Sequence, residues 1–143
     1  MRYLTVFFIC CFSSFYLNGQ DILGKWKTVD DNTGEEKSIV EIYKKNDKIY
    51  GKIIEIFDAT KRDLSCENCD GEDYNKPILG LVIIKDMEKV DKDTYKKGTI
   101  TNPEDGNIYS CRLKLDDNNP DKLQVRGYLA FFYKTQYWVR IEG

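Results

Sequence analysis

The sequence contains no histidine among its 143 residues. This absence excludes serine–histidine and cysteine–histidine nucleophile pairs and every metal site built on imidazole. A phosphate-binding glycine loop and a nucleophile elbow are also missing. The 22 basic and 24 acidic side chains are interspersed and leave a net charge of −2. We therefore expect a solvated outer face and no nucleic-acid partner.

Long apolar runs are confined to the N-terminus. Residues 3–17 are apolar, follow a single charge at Arg2 and precede the polar residues 18–20, but they are too few to span a bilayer comfortably. We predict a signal peptide over residues 1–19, no transmembrane segment in the mature chain, and a periplasmic or secreted protein. A buried N-terminal strand or a retained anchor is the alternative.

The remaining residues, 20–143, are short enough for one domain. Apolar and polar residues alternate over eight short segments separated by turn-forming residues, and no segment has a convincing helical period. The pattern predicts an all-β fold, an eight-stranded antiparallel up-and-down barrel, with a two-sheet sandwich as the competitor. A closed barrel has no free edge, so we expect a monomer. The predicted strands cover 23–29, 36–45, 48–57, 81–90, 94–101, 107–116, 122–131 and 135–141.

The last two predicted strands are rich in aromatic residues. Rings of this size bury much apolar area, so we expect the rest of the sheet to cover them. The rings are Tyr128, Phe131, Phe132, Tyr133, Tyr137 and Trp138.

Residues 58–80 form a polar segment that is long for a loop in a small domain, which favours a functional loop or a lid. In an oxidising compartment, Cys66 and Cys69 are expected to form a disulfide. A bridge over four residues stabilises by only about 2 kcal/mol, against about 4 kcal/mol for a link to Cys111. A redox pair and half of a zinc site are weaker alternatives, because no helix stabilises a thiolate and no second ligand pair is present. Cys111 alternates with apolar residues and is expected to be buried.

Several short motifs, taken in order, resemble one family of bacterial envelope proteins, known only as domain of unknown function 2147. The resemblance implies an exported barrel of the lipocalin or calycin type, with no agreed activity. Asn102 departs from the pattern, which has aspartate before the proline. The motifs include Gly24-Lys25-Trp26, Tyr50-Gly51-Lys52-Ile53, Cys66-x-x-Cys69, Lys76-Pro77-Ile78, Gly98-x-Ile100-x-Asn102-Pro103, Arg126-Gly127-Tyr128 and Thr135-Gln136-x-Trp138-x-Arg140.

The resemblance also implies a contact between the first and last strands. In lipocalin-like chains, the tryptophan of the first strand is covered by a basic side chain of the last one, and Trp26 and Arg140 fit these two roles. An arginine can stack on an indole ring, so we favour a contact that closes the barrel over a role in ligand binding.

Arg126 and Tyr128 share one face of their predicted strand. If that face is inward, they present a cation and a phenol to the interior, where the carboxylate of an amphipathic ligand would bind. If Leu123 and Val125 are inward instead, Arg126 is a surface residue paired with an acid. The pattern of this strand leaves both orientations open.

The function that we expect is binding of an apolar or lipid-like small molecule in the barrel interior, without metal, cofactor or catalytic residue. A packed scaffold that meets an envelope protein through residues 58–80 and the barrel rim is the alternative. An enzyme, either a redox protein that uses Cys66 and Cys69 or a hydrolase that uses carboxylates, is the third class. The candidate ligand-binding residues are Trp26, Tyr43, Tyr109, Arg126, Tyr128, Trp138 and Arg140.

Overall fold

A computed structural model describes residues 21–141 of the chain. They form a closed barrel of eight antiparallel strands, which confirms the predicted fold and rules out a two-sheet sandwich. The strands are β1 (Gly24–Val29), β2 (Glu36–Lys45), β3 (Lys48–Ile56), β4 (Val82–Lys89), β5 (Thr94–Thr101), β6 (Ile108–Leu115), β7 (Lys122–Leu129) and β8 (Phe132–Arg140).

Each strand pairs with the next one along the chain, and β8 returns to β1. The closing ladder is short, because only Trp26 with Arg140 and Lys27 with Val139 are in register. The ladder between β7 and β8 runs from Lys122 opposite Val139 to Leu129 opposite Phe132. The first half of β8 therefore has β7 as its neighbour but no register pair in β1.

Because consecutive strands run in opposite directions, the turns divide between two ends of the barrel. We call the end that holds both termini of the described chain the closed end; its turns are 46–47, 90–93 and 116–121. We call the opposite end the mouth; its turns are 30–35, 57–81, 102–107 and 130–131.

The interior is filled by the inward residues of every strand. Its largest side chains, Trp26 and Trp138, are 0% and 2% exposed. The strands approach closely at Gly98 in β5, where an added Cβ would lie 2.5 Å from the Met87 sulfur and would collide with the Lys85 carbonyl oxygen. A residue without a side chain is therefore required there.

The expectation that the rings of the last two strands are covered is wrong for most of them. Trp138 is buried, but Phe131 is 99%, Phe132 78% and Tyr133 64% exposed. The turn lies at Ala130, which adopts a φ of 53°, so β8 begins at Phe132 and not at residue 135. Alternate residues of β8 consequently face the solvent, and its first residues extend beyond the ladder with β1.

The long segment between β3 and β4 is fixed against the turn between β5 and β6. Cys66 and Cys69 are joined by a disulfide, with Cα atoms 5.3 Å apart. The Asn68 side chain donates to the Glu104 carbonyl over 3.1 Å. Gly106 fits beneath this segment, since a Cβ there would collide with the Asn68 carbonyl oxygen. The disulfide therefore shapes a segment that packs on the barrel.

The predicted signal peptide, residues 1–19, lies outside the described residues. Within residues 21–141, no helix is long and apolar enough to cross a membrane.

Candidate ligand-binding site

The predicted contact between Trp26 and Arg140 is present at the closed end. The guanidinium carbon of Arg140 lies 4.4 Å from the centroid of the Trp26 ring. Its Nη atoms donate to the carbonyl oxygens of Asp21 (2.8 Å), Leu23 (3.3 Å) and Pro120 (3.2 Å). The indole N–H of Trp26 donates in turn to a backbone carbonyl at 2.8 Å. Both side chains are occupied by the protein itself, so this pair closes the barrel.

Arg126 lies on the outer face of β7. Its neighbours along the strand, Val125 and Gly127, pair with the buried Leu113 and Cys111 on β6. The orientation with Leu123 and Val125 inward is therefore the one found, and Tyr128 faces outward with Arg126.

The partners of Arg126 are not the acid that this orientation predicted. Its Nε donates to the Thr135 hydroxyl over 2.8 Å, and its guanidinium carbon lies 4.7 Å from the Tyr133 ring centroid. An interior role for Arg126 or Tyr128 is excluded by this placement.

Tyr43 is also on the outer face. It stacks on Tyr50 of β3 with ring centroids 5.9 Å apart. The Tyr50 hydroxyl donates to Asp86 over 2.8 Å, and this hydrogen bond, together with partial burial, raises the pKa of Tyr50. Tyr43 therefore belongs to a packed cluster outside the barrel.

The two tyrosines border a groove of about 400 Å³ between the outer wall and the long segment. Its buried acid, Asp73, is paired with Lys85 at 2.6 Å and Lys76 at 3.5 Å. Burial alone would raise the pKa of Asp73, but these two ammonium groups lower it below its ordinary value. The charges of Asp73 and its partners are thus matched within the groove, which fits a role in holding the segment in place.

The mouth of the barrel contains a different set of residues. Tyr109 on β6 is directly opposite Ile100 on β5, and both face inward and are partly exposed. Both pack closely on the backbone of Gly127, since an added Cβ there would lie 3.2 Å from the Tyr109 Cβ and 3.6 Å from Ile100. Two residues deeper, Cys111 and Val125 are buried. The interior is therefore closely packed at Cys111 and Val125 and open to solvent at Tyr109 and Ile100. We call this open part of the interior the mouth cup.

Polar groups accompany the apolar wall of the mouth cup. The Gln136 side chain accepts from the Trp138 indole N–H over 3.2 Å, and the hydroxyls of Thr28 and Ser38 are 2.7 Å apart. Lys134 shares the register of Gln136 and Trp138, is exposed, and forms no ion pair with another residue of 21–141. A cation therefore stands at the entrance of the mouth cup.

The sequence analysis identified Tyr109 but missed Lys134, Gln136 and Ile100. A signal for two of them was present, because Gln136 and Lys134 precede the inward Trp138 by two and four residues. Residues at this spacing on a strand share a face.

The cysteines carry no accessible thiol chemistry in the described chain. Cys66 and Cys69 are bonded and are 0% and 3% exposed. Cys111 is buried in the interior, and this burial raises the pKa of its thiol to about 12. Within residues 21–141, no three cysteine or acidic side chains are grouped so that they could hold a metal ion. The arrangement is thus one that can bind a molecule at the mouth cup.

A closed eight-stranded antiparallel barrel, with a tryptophan–arginine pair at one end and a cup at the other, defines a lipocalin-like protein. The chain belongs to the family described as "Uncharacterized protein conserved in bacteria (DUF2147)", whose model matches residues 24–140.

One solved structure is similar to nearly the whole barrel. It is described as protein HP1028 from the human pathogen Helicobacter pylori, belonging to the lipocalin family. It is 25% identical, has a TM-score of 0.72, and the match covers 85% of this chain and 84% of that one. No curated protein matches the chain.

Proposed function

We propose that the protein is an exported carrier that holds an amphipathic small molecule in the mouth cup. The apolar part of the ligand would contact Ile100 and Tyr109, and its anionic group would meet Lys134. The observation that supports this proposal is the change from the partly exposed Tyr109 and Ile100 to the buried row beneath them.

The chemistry of the mouth cup fits a ligand with two unlike ends. Small-molecule sites combine an apolar wall with a few polar groups that fix orientation, and the wall and Lys134 provide both. A charge-assisted hydrogen bond from an ammonium to a carboxylate or sulfonate is stronger than a neutral one. The description of the Helicobacter pylori protein as a lipocalin supports the same class of function.

The proposal assigns binding and no catalysis. A reactive thiol needs exposure and a depressed pKa, and the described cysteines have neither. No catalytic residue, metal or cofactor is part of the proposal.

Binding can be tested with anilinonaphthalene sulfonate, a fluorescent probe that has apolar rings and one anionic group. Ile100→Trp fills the mouth cup and is expected to weaken binding at least tenfold. Ile54→Trp makes the same change in β3 at a half-buried position that alternates with the buried Ile53, and it is expected to leave binding unchanged. Equal affinity in both variants would refute a site in the mouth cup.

The natural ligand can be sought separately by native mass spectrometry of protein purified from its own envelope. A reproducible bound mass that Ile100→Trp removes supports a carrier. Repeated recovery of empty protein favours the packed scaffold instead.

A further inference from the structure

The hairpin formed by β7 and β8 exposes several large apolar side chains at its tip and along its outer face. Its exposed fractions are 47% for Leu129, 99% for Phe131, 78% for Phe132, 64% for Tyr133 and 41% for Tyr137. We call these five residues the hairpin patch. Leu129 and Phe132 continue the inward register of Gly127 and Lys134, whereas Tyr133 and Tyr137 lie on the outer face. Exposed apolar side chains in this number usually mark an interaction site.

The strands around the hairpin patch carry charge of one sign. Five consecutive strands of the barrel, β5 to β8 and β1, contain no aspartate or glutamate. Each of β2, β3 and β4 contains at least one. The whole chain has a net charge of −2. This wall is thus basic although the chain as a whole is slightly acidic. Its outward cations on β6 and β7 are Arg112, Lys114, Lys122 and Arg126, of which Lys114 is paired with Asp117 at 3.7 Å.

Two of these cations lie on the rings of the patch. Arg126 is 4.7 Å from the Tyr133 centroid, and the Lys122 ammonium is 4.5 Å from the Tyr137 centroid. Arg112 is directly opposite Arg126 across β6 and β7. Like charges in this position destabilise a sheet, and the Arg112 guanidinium donates to a neutral acceptor, the Gln124 side chain, over 2.6 Å. This wall therefore favours an anionic partner.

We propose that the hairpin patch docks the protein on an anionic phospholipid bilayer. Phenylalanines at the tip would enter the boundary of the acyl chains, tyrosines would lie among the headgroups, and the arginines would meet phosphates. Arg126 is three residues from Leu129, or about 10 Å along a strand. That spacing suits a tip that enters about 5–10 Å into the interface.

The same charges define how the barrel would lie. Glu104 and Asp105 occupy a neighbouring turn at the mouth, and Glu104 pairs with Lys37 at 3.4 Å. Acids at this end would be repelled by an anionic surface in an end-on approach. The barrel would therefore be tilted, with the hairpin tip lowest and the wall of β6, β7 and β8 turned towards the membrane.

A bilayer explains the patch better than a protein partner does. The most exposed ring, Phe131, is at the tip of a turn, whereas the centre of a protein interface is a broad, closely packed area. Each added interfacial cation contributes about 1 kcal/mol on an anionic membrane. This inference is independent of the proposed carrier function.

The test uses the full chain with a reporter at the tip, because apolar residues 3–17 could themselves bind lipid. Phe131→Trp adds an exposed tryptophan to a chain whose described tryptophans, Trp26 and Trp138, are buried. With vesicles of phosphatidylglycerol and phosphatidylcholine, its emission is expected to shift to the blue and to be quenched by brominated acyl chains. Neutral phosphatidylcholine vesicles should give neither effect. Tyr74→Trp, at a 60% exposed position on the long segment, is the matched control and should not respond.

The charge requirement is tested in the Phe131→Trp background. Arg126→Gln is expected to raise the lipid concentration for the half-maximal shift about fivefold, which corresponds to about 1 kcal/mol. Lys52→Gln removes a cation over Tyr43 on the opposite wall, at 5.9 Å, and should have no effect. High salt should abolish the shift.

Three results would overturn the proposal. The first is that anionic vesicles do not shift the emission of the Phe131→Trp variant. The second is equal weakening by Arg126→Gln and Lys52→Gln. The third is a shift that depends on protein concentration without lipid, which would identify a second copy of the chain as the occupant.

Discussion

Replacement of Arg140 by alanine tests whether the pair with Trp26 closes the barrel. The Arg140 side chain is 17% exposed, stacks on a fully buried indole and donates to three backbone carbonyls. Its Nε lies 3.4 Å from an Asp121 carboxylate oxygen but makes no hydrogen bond, so this ion pair is the weakest of its contacts. The variant removes the link between the last strand and the residues that precede the first.

The expected loss of unfolding free energy follows from those contacts of Arg140 that water cannot replace. A desolvated cation–π contact contributes about 2 kcal/mol. A hydrogen bond to a charged group contributes about 1.5 to 3 kcal/mol, but the carbonyls of Asp21 and Pro120 belong to exposed residues and can be rehydrated. Counting only the bond to Leu23, we expect Arg140→Ala to lower the free energy of unfolding by about 4 kcal/mol.

Urea denaturation followed by tryptophan fluorescence measures this loss, since Trp26 is under the guanidinium. With a slope of about 1.5 kcal/mol/M, the midpoint should fall by about 2 to 3 M. Arg140→Lys keeps the charge but not the several N–H donors of the guanidinium. Its urea midpoint should lie about halfway between those of the wild type and Arg140→Ala. Arg126→Ala, which removes a stack on the exposed Tyr133, is the control and should cost less than about 1 kcal/mol. A loss below about 1 kcal/mol for Arg140→Ala would refute the closure argument.

Three further predictions concern single groups. Replacing Cys66 and Cys69 by serine should lower the free energy of unfolding by about 2 kcal/mol in urea; a much larger loss would show that the bridge does more than shape its segment. Cys111, buried and with a pKa raised to about 12, should resist iodoacetamide in the native protein and react after unfolding, as mass spectrometry will show. Hydrogen bonds from the backbone of Asn32 and Thr33 lower the pKa of Asp30 to about 2, so its stabilising effect is present above about pH 4 and is lost as the pH falls towards 2. The urea midpoint of the wild type should therefore fall more between these pH values than that of Asp30→Asn, and parallel falls would contradict the prediction.

The strand boundaries could be predicted where the turn contains residue types that favour a positive φ. β2 and β3 meet at Asn46-Asp47, whose φ values of 51° and 65° suit these two residue types in a tight hairpin. The turn between β7 and β8 has no such signal, because Ala130 takes the positive φ within an aromatic run. The sequence analysis therefore placed the bend after Phe131 and started the last strand too late.

The pair of Trp26 and Arg140 could be predicted, since the resemblance to a family supplied a contact that local pattern does not. The mouth cup could be predicted only in part. Tyr109 was identified from the alternation of β6, but the depth of the cup depends on the row of buried side chains beneath it. These are properties of packing between strands, and one strand's pattern does not contain them.

The orientation of Arg126 could be inferred only from the strand next to it. Taken alone, β7 has a mixed pattern, because Leu123, Val125 and Leu129 share one face but the aromatic Tyr128 lies on the other. In β6 the alternation is clearer, with Cys111, Leu113 and Leu115 on one face and Ser110, Arg112 and Lys114 on the other. The antiparallel register places Leu115 opposite Leu123, and every later pair then follows, because a slip of one residue would move the whole apolar set of β7 out of the core. A strand with a mixed pattern is thus oriented by its neighbour, which leaves Arg126 and Tyr128 on the outer face.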